Sequence, residues 1–151
     1  MVPLDPTAVV VELHQQLPRF DALARERLIP MDLVPLEQAL VRLAEAATAV
    51  RDTLAALPEE DPRRAEVNRQ LVRLERNWTE SAGMPGRPWY RNLLCGSNRY
   101  SGYGSVRLPL LAEAIDDRDP KAVQEAVERY RTRIAALTGA LRRLSAARAS
   151  R

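Results

Sequence analysis

The sequence predicts an all-α protein: a helical bundle of four main helices plus one short helix, with a long ordered Pro/Gly-rich crossover loop. Three observations predict it. Apolar residues recur at spacings of three and four in four separate stretches, the period of a helix with one buried face. Helix-start signals, Asp-Pro pairs or a lone Pro, stand just ahead of those stretches. Aromatics make up only 5% of the chain, so the core must be mostly Leu, Val and Ala, which suits helices.

The elements follow in order. Asp5-Pro6 opens the first helix, whose apolar face is Val10, Leu13, Leu17, Phe20 and Ala24. Pro18 lies inside this pattern and should kink the helix or split it near Leu17, because it removes a hydrogen bond and crowds the preceding turn. A connection runs from Leu28 to Val34, and Pro35 starts the second helix. Its stripe is Leu36, Leu40, Leu43, Ala47, Val50, Leu54 and Leu57, a coiled-coil-like seam that favours shallow packing angles. Asp61-Pro62 opens the third helix, with Val67, Leu71, Leu74 and Trp78 on its apolar face. Leu108-Pro109 begins the short helix, which should end near Asp116. Asp119-Pro120 begins the last, carrying Val123, Val127, Tyr130, Ile134, Leu137, Leu141 and Leu144. The tail after Ser145 is small and basic and should fray. No strand is evident.

Residues 81–108, between the third helix and the short one, form the crossover loop. Gly83, Gly86, Gly96, Gly102 and Gly104 lie here, of six glycines in the chain, and Tyr90, Tyr100 and Tyr103, of four tyrosines. Such a composition cannot be a helix interior. A connection of this length in a compact domain is usually functional or disordered. Trp89, Tyr90, Leu93, Leu94 and Val106 supply apolar groups to bury, which argues for order.

A length of 151 residues suits one domain, spanning 1–151. The net charge is +3, and Lys121 is the single lysine. The arginines alternate with acids, as in E-E-D-P-R-R-A-E and E-A-V-E-R-Y-R, so they read as mixed-charge helix surface and not as a nucleic-acid face. Cys95 is alone, which rules out an internal disulfide. No run is long or apolar enough to span a membrane, and the opening M-V-P-L-D-P has no signal-peptide pattern. The compartment stays open, since any export signal of a parent protein would lie outside this chain.

The candidates for chemistry are few. His14 is the one histidine and reads as a surface residue; with Cys95 it forms no ligand-spaced cluster, so no metal or other cofactor is expected. Ser97, Ser101 and Ser105 lack a nearby imidazole base. Cys95, beside Gly96, reads as a small buried residue. Gly102 and Gly104 follow no strand, so they make no phosphate-binding fingerprint. Pro85, Gly86, Arg87, Pro88, Trp89 and Tyr90 read as structural anchors of the loop. Arg87 should bond loop carbonyls or a carboxylate with its fixed fork of donors, while Trp89 and Tyr90 should bury large area against the bundle.

The run G-M-P-G-R-P-W-Y-R-N-L-L, then R-Y-S-G-Y-G, then R-L-P-L-L-A-E-A-I resembles the transferrin-receptor-like dimerisation domain, the C-terminal helical domain of the transferrin receptor and glutamate carboxypeptidase II group. The P-G-R-P-W-Y-R block at 85–91 is its sharpest part. The opening L-D-P-T-A-V, the P-L-E-Q-A-L-V-R-L helix and the last helix extend the resemblance along the chain. It implies a homodimer and a non-catalytic interaction module; alternatively, this is the C-terminal part of a zinc metallopeptidase. In those peptidases the domain follows a zinc peptidase domain, which carries the zinc ligands, and the loop borders the active site. A Lys-Tyr pair there grips the carboxylate of the substrate's last residue. The matching positions here are Arg99-Tyr100, or Tyr103 preceded by Gly102. For a dimer, Ala39, Ala46, Ala126 and Ala136 are expected to permit close helix approach.

Overall fold

The computed structural model describes residues 5–100 and 102–146. Its order is α1 (Ala8–Glu26), α2 (Val34–Ala55), α3 (Pro62–Leu74) running into a 3-10 turn (Glu75–Trp78), β1 (Cys95–Ser97), β2 (Ser105–Arg107), α4 (Pro109–Asp116) and α5 (Pro120–Ala146). The fold is mostly helical, as the periodicity implies. Ser101 and the tail 147–151 lie outside the described residues, and so do the expectations placed on them.

The Asp-Pro pairs work by one device. The Asp61 carboxylate accepts the Arg63 N–H at 2.8 Å, and that of Asp119 accepts those of Lys121 and Ala122 at 3.0 Å. Each satisfies a helix-end donor that has no carbonyl partner within its helix. Asp5 accepts the Thr7 N–H at 2.8 Å and its hydroxyl at 2.6 Å, and these bonds hold its carboxyl below the usual range. The regular helix then begins at Ala8.

The expected split of the first helix does not occur. α1 runs unbroken from Ala8 to Glu26 with Pro18 inside it. Pro18 is exposed, so the carbonyl that its ring deprives of a partner lies on the water side. Val10, Leu13, Leu17, Phe20 and Ala24 on the other face are all buried and hold the helix down.

The stripes of α2 and α5 pack against each other as the central pair, with α1 and α4 alongside. Ala39, Ala46 and Ala126 are buried within this single chain, so they cannot serve the close approach of a second one; Ala136 is exposed. Three of the four alanines therefore lose the role expected of them. Among the described residues no helix is long and apolar enough to cross a membrane.

The loop contradicts the expectation of no strand. β1 and β2 pair antiparallel, with Cys95 opposite Arg107, Gly96 opposite Val106 and Ser97 opposite Ser105. The chain reverses between them through Asn98, whose carbonyl accepts the Gly102 N–H at 2.9 Å. Gly102 and Gly104 take the positive φ values of 67° and 80° that the reversal requires. Three-residue strands are too short to show an alternating pattern, which is why none was legible.

Candidate functional site

The belt from 79 to 108 has two lobes. The first closes at a neck, where Leu93 N–H donates to the Trp78 carbonyl and Glu80 N–H to that of Arg91, both at 2.8 Å. Beyond the neck come two consecutive turns. Arg87 N–H donates to the Met84 carbonyl at 2.9 Å, across Pro85 and Gly86. Proline second and a positive-φ glycine third (71°) is the pattern of a type II turn. Tyr90 N–H then donates to the Arg87 carbonyl at 2.9 Å, across Pro88 and Trp89. The chain entering the first turn lies so close to the second that a Cβ on Gly83 would stand 2.2 Å from the Pro88 carbonyl oxygen.

The Arg87 guanidinium is mostly covered. It donates to Glu113 of α4, approaches the Ser97 carbonyl at 3.5 Å and lies 5.3 Å from the Tyr90 ring centre. One side chain thus joins both lobes to the bundle, its two terminal nitrogens reaching different acceptors and its charge lying over an aromatic ring. Tyr90 is half-buried, and its hydroxyl donates to the Cys95 carbonyl at 2.7 Å.

Trp89 is a correction. It is 74% exposed, so its ring is not buried against the bundle as expected. It occupies the third position of the second turn, at the apex, where a side chain points away from the hydrogen-bonded ends. Pro85, Gly86 and Pro88 are exposed as well and shape the belt through their backbone. The apolar anchors are Met84, 2% exposed, and Leu93, fully buried.

The strongest polar tie comes from the bundle. Tyr130 of α5 is completely buried. Its hydroxyl donates to the Leu93 carbonyl at 2.8 Å and accepts the Leu110 N–H at 3.2 Å. Burial drives its pKa far above the ordinary phenol range. Sequence reasoning placed Tyr130 in the core stripe and missed its polar role; the one signal was a hydroxyl in an otherwise aliphatic stripe, which needs a partner when buried. A second tie is reciprocal. The Asn77 amide donates to the Arg133 carbonyl at 2.9 Å, and Arg133 donates to the Asn77 carbonyl at 3.1 Å and to Glu80 at 3.0 Å.

In the second lobe the Arg99 guanidinium donates with two nitrogens to both oxygens of Asp117, at the end of α4. It also donates to the Tyr100 hydroxyl at 2.7 Å and lies 4.8 Å from that ring's centre. These bonds push Arg99 further above its ordinary value and hold Asp117 below the usual carboxylate range. Arg99 alone holds the Asp117 carboxylate, which is this chain's own, and the Tyr100 hydroxyl accepts from the same guanidinium. Tyr103 stands 86% exposed on the reversal between the strands.

His14 is exposed on α1. Cys95 is half-buried, its sulfur 2.9 Å from the Ser105 hydroxyl across the ladder. Among the described residues no three His, Cys, Asp or Glu side chains are grouped so as to hold a metal ion.

A helical scaffold with a proline-glycine belt tied to it at both lobes is the class of protein these contacts define. Residues 31–142 match the transferrin receptor-like dimerisation domain, and the chain belongs to that family. It is 32% identical over 80 residues, 53% of its length, to a probable glutamate carboxypeptidase of Arabidopsis thaliana. It is 34% identical over 62 residues, 41% of its length, to an inactive zinc metalloprotease of Schizosaccharomyces pombe. The chain spans 12% and 8% of the lengths of these two relatives.

Proposed function

We propose that the chain is a non-catalytic interaction module that self-associates as a two-fold homodimer. The observation that carries this is the family match, which covers α2, α3, the whole belt, α4 and most of α5. The polar groups that fix the belt support its non-catalytic part: Arg87, Arg99 and Tyr90 of the belt and Tyr130 of α5 all bond the chain's own carbonyls or carboxylates, as building groups do. Closed two-fold association is the commonest symmetry of soluble homo-oligomers. Sedimentation equilibrium from about 0.1 to 100 μM tests it, a range that brackets micromolar dissociation constants. A dimer mass at the upper end supports the reading, and a monomer throughout refutes it.

A second reading is that the chain serves as the C-terminal part of a zinc metallopeptidase, with the belt completing a substrate pocket. Two observations favour it: one relative is a probable glutamate carboxypeptidase, and Arg99, braced by the Tyr100 hydroxyl, already holds a carboxylate. In this reading a substrate carboxylate takes the place of Asp117. Titration with a C-terminal glutamyl peptide, alone and beside a candidate peptidase chain, separates the two. Binding lost on Arg99→Ala supports the second reading, and no binding in either setting removes it.

A further inference from the structure

Two leucines in this chain take left-handed backbone conformations, and their surroundings differ sharply. Leu108, at φ 45°, is 1% exposed, so core packing compensates its strain. Leu28, at φ 57°, is 90% exposed. It closes α1: Leu28 N–H donates to the Arg25 carbonyl at 3.1 Å and Ile29 N–H to that of Ala24 at 2.9 Å. Such a left-handed ending favours glycine, which has no Cβ to crowd the following carbonyl. Arg118 ends α4 in the same way, at φ 54°, but its side chain is polar and at home in water. Leu28 carries both penalties, the strained backbone and a large apolar group in water, and its exposure leaves almost nothing within the chain to offset them.

Its neighbours extend the feature. Ile29 and Leu33 turn into the core, while Pro30 and Val34 face outward. Pro30, Met31, Pro35 and Pro120 line an open groove between this connector and α5. The groove's rim holds both signs of charge, with Asp32 and Glu125 beside Lys121 and Arg129. A rim of one sign would repel its own copy. In this mixed rim Lys121 lies 3.8 Å from Glu125 and Arg129 3.6 Å from Glu80, so its charge is largely balanced and it can face a second copy across a two-fold axis without repulsion.

We infer that Leu28 is the central knob of the self-association surface, seating against the 28–35 connector and the groove beside it on a second copy of this chain. This rests on the dimer reading above and names its surface. A buried leucine at the centre of an interface, ringed by polar residues, is the arrangement that carries most binding energy.

The test is Leu28→Gly, because it moves two readouts in opposite directions. Glycine fits the left-handed position better, so the melting temperature measured at monomer concentrations should rise by about 2–4 °C. Removing a leucine from each of two copies should raise the dimer dissociation constant by about 100-fold, about tenfold per copy. Leu28→Asp should abolish the dimer. Val11→Ser, on the exposed face of α1 and about 25 Å along the helix, should leave it intact. If the wild type dimerises and both Leu28 variants dimerise equally well, the surface is wrong and the dimer reading stands. If Val11→Ser weakens the dimer as much as Leu28→Gly, the surface is also wrong. A wild type that stays monomeric overturns the dimer reading and this inference with it.

Discussion

Tyr130→Phe isolates the tie between bundle and belt. The substitution keeps the ring that fills the core and removes one oxygen. That oxygen bonds the Leu93 carbonyl and the Leu110 N–H, both in a region without solvent access. Each buried group left without a partner costs about 1–3 kcal/mol. The two together, partly relieved by local relaxation, predict a loss of about 2–4 kcal/mol. For a chain of this size that is a fall in melting temperature of about 5–15 °C. Urea unfolding gives the free energy directly, with the slope expected to stay unchanged. The sign with pH follows from the raised pKa: the unfolded phenol ionises near pH 10 while the folded one stays neutral. The buried phenol's contribution is therefore complete below pH 10 and declines as pH rises above it. Tyr130→Phe should flatten that decline relative to the wild type. A loss under about 0.5 kcal/mol, the range of neutral surface changes, would refute the bridging role.

Other substitutions probe the belt's parts. Gly83→Ala should cost about 2–4 kcal/mol in urea unfolding, since the new Cβ meets the Pro88 backbone at 2.2 Å and φ is 71°. Arg87→Lys keeps the charge but loses the fork that serves Glu113 and the Ser97 carbonyl together, and should cost about 1–3 kcal/mol. Trp89→Ser should change stability by less than about 0.5 kcal/mol, whereas Met84→Ala should cost about 2–5 kcal/mol, reversing the order that residue size suggests.

The helices were legible because their information is local and repeated. Val123, Val127, Tyr130, Ile134, Leu137 and Leu141 announce one buried face of α5, and all are buried. The belt was legible as a Pro/Gly-rich loop but its turns were not, although Pro85 fixes φ and Gly86 permits the positive φ that a type II turn needs. Where Trp89 points was not legible either. That depends on the second turn packing against Gly83, a through-space event that composition does not record. The same holds for Tyr130, whose phenol bonds residues 37 and 20 positions away. The split expected at Pro18 did not occur because the rule against helix-interior proline is weakest on the solvent side, and periodicity alone does not weigh that exposure. Leu28 was read as plain connector because nothing in a sequence marks a leucine that must take glycine's conformation.

The most direct measurement is native-state amide hydrogen exchange across the belt and α5. The account holds that the belt is locked into the bundle and opens only with it. The amides of Met84, Tyr90, Leu93 and Leu108, all hydrogen-bonded, should then exchange with free energies close to that of global unfolding, matching Ile134 in α5. Exchange of those belt amides through local opening, several kcal/mol easier than for α5, would contradict it.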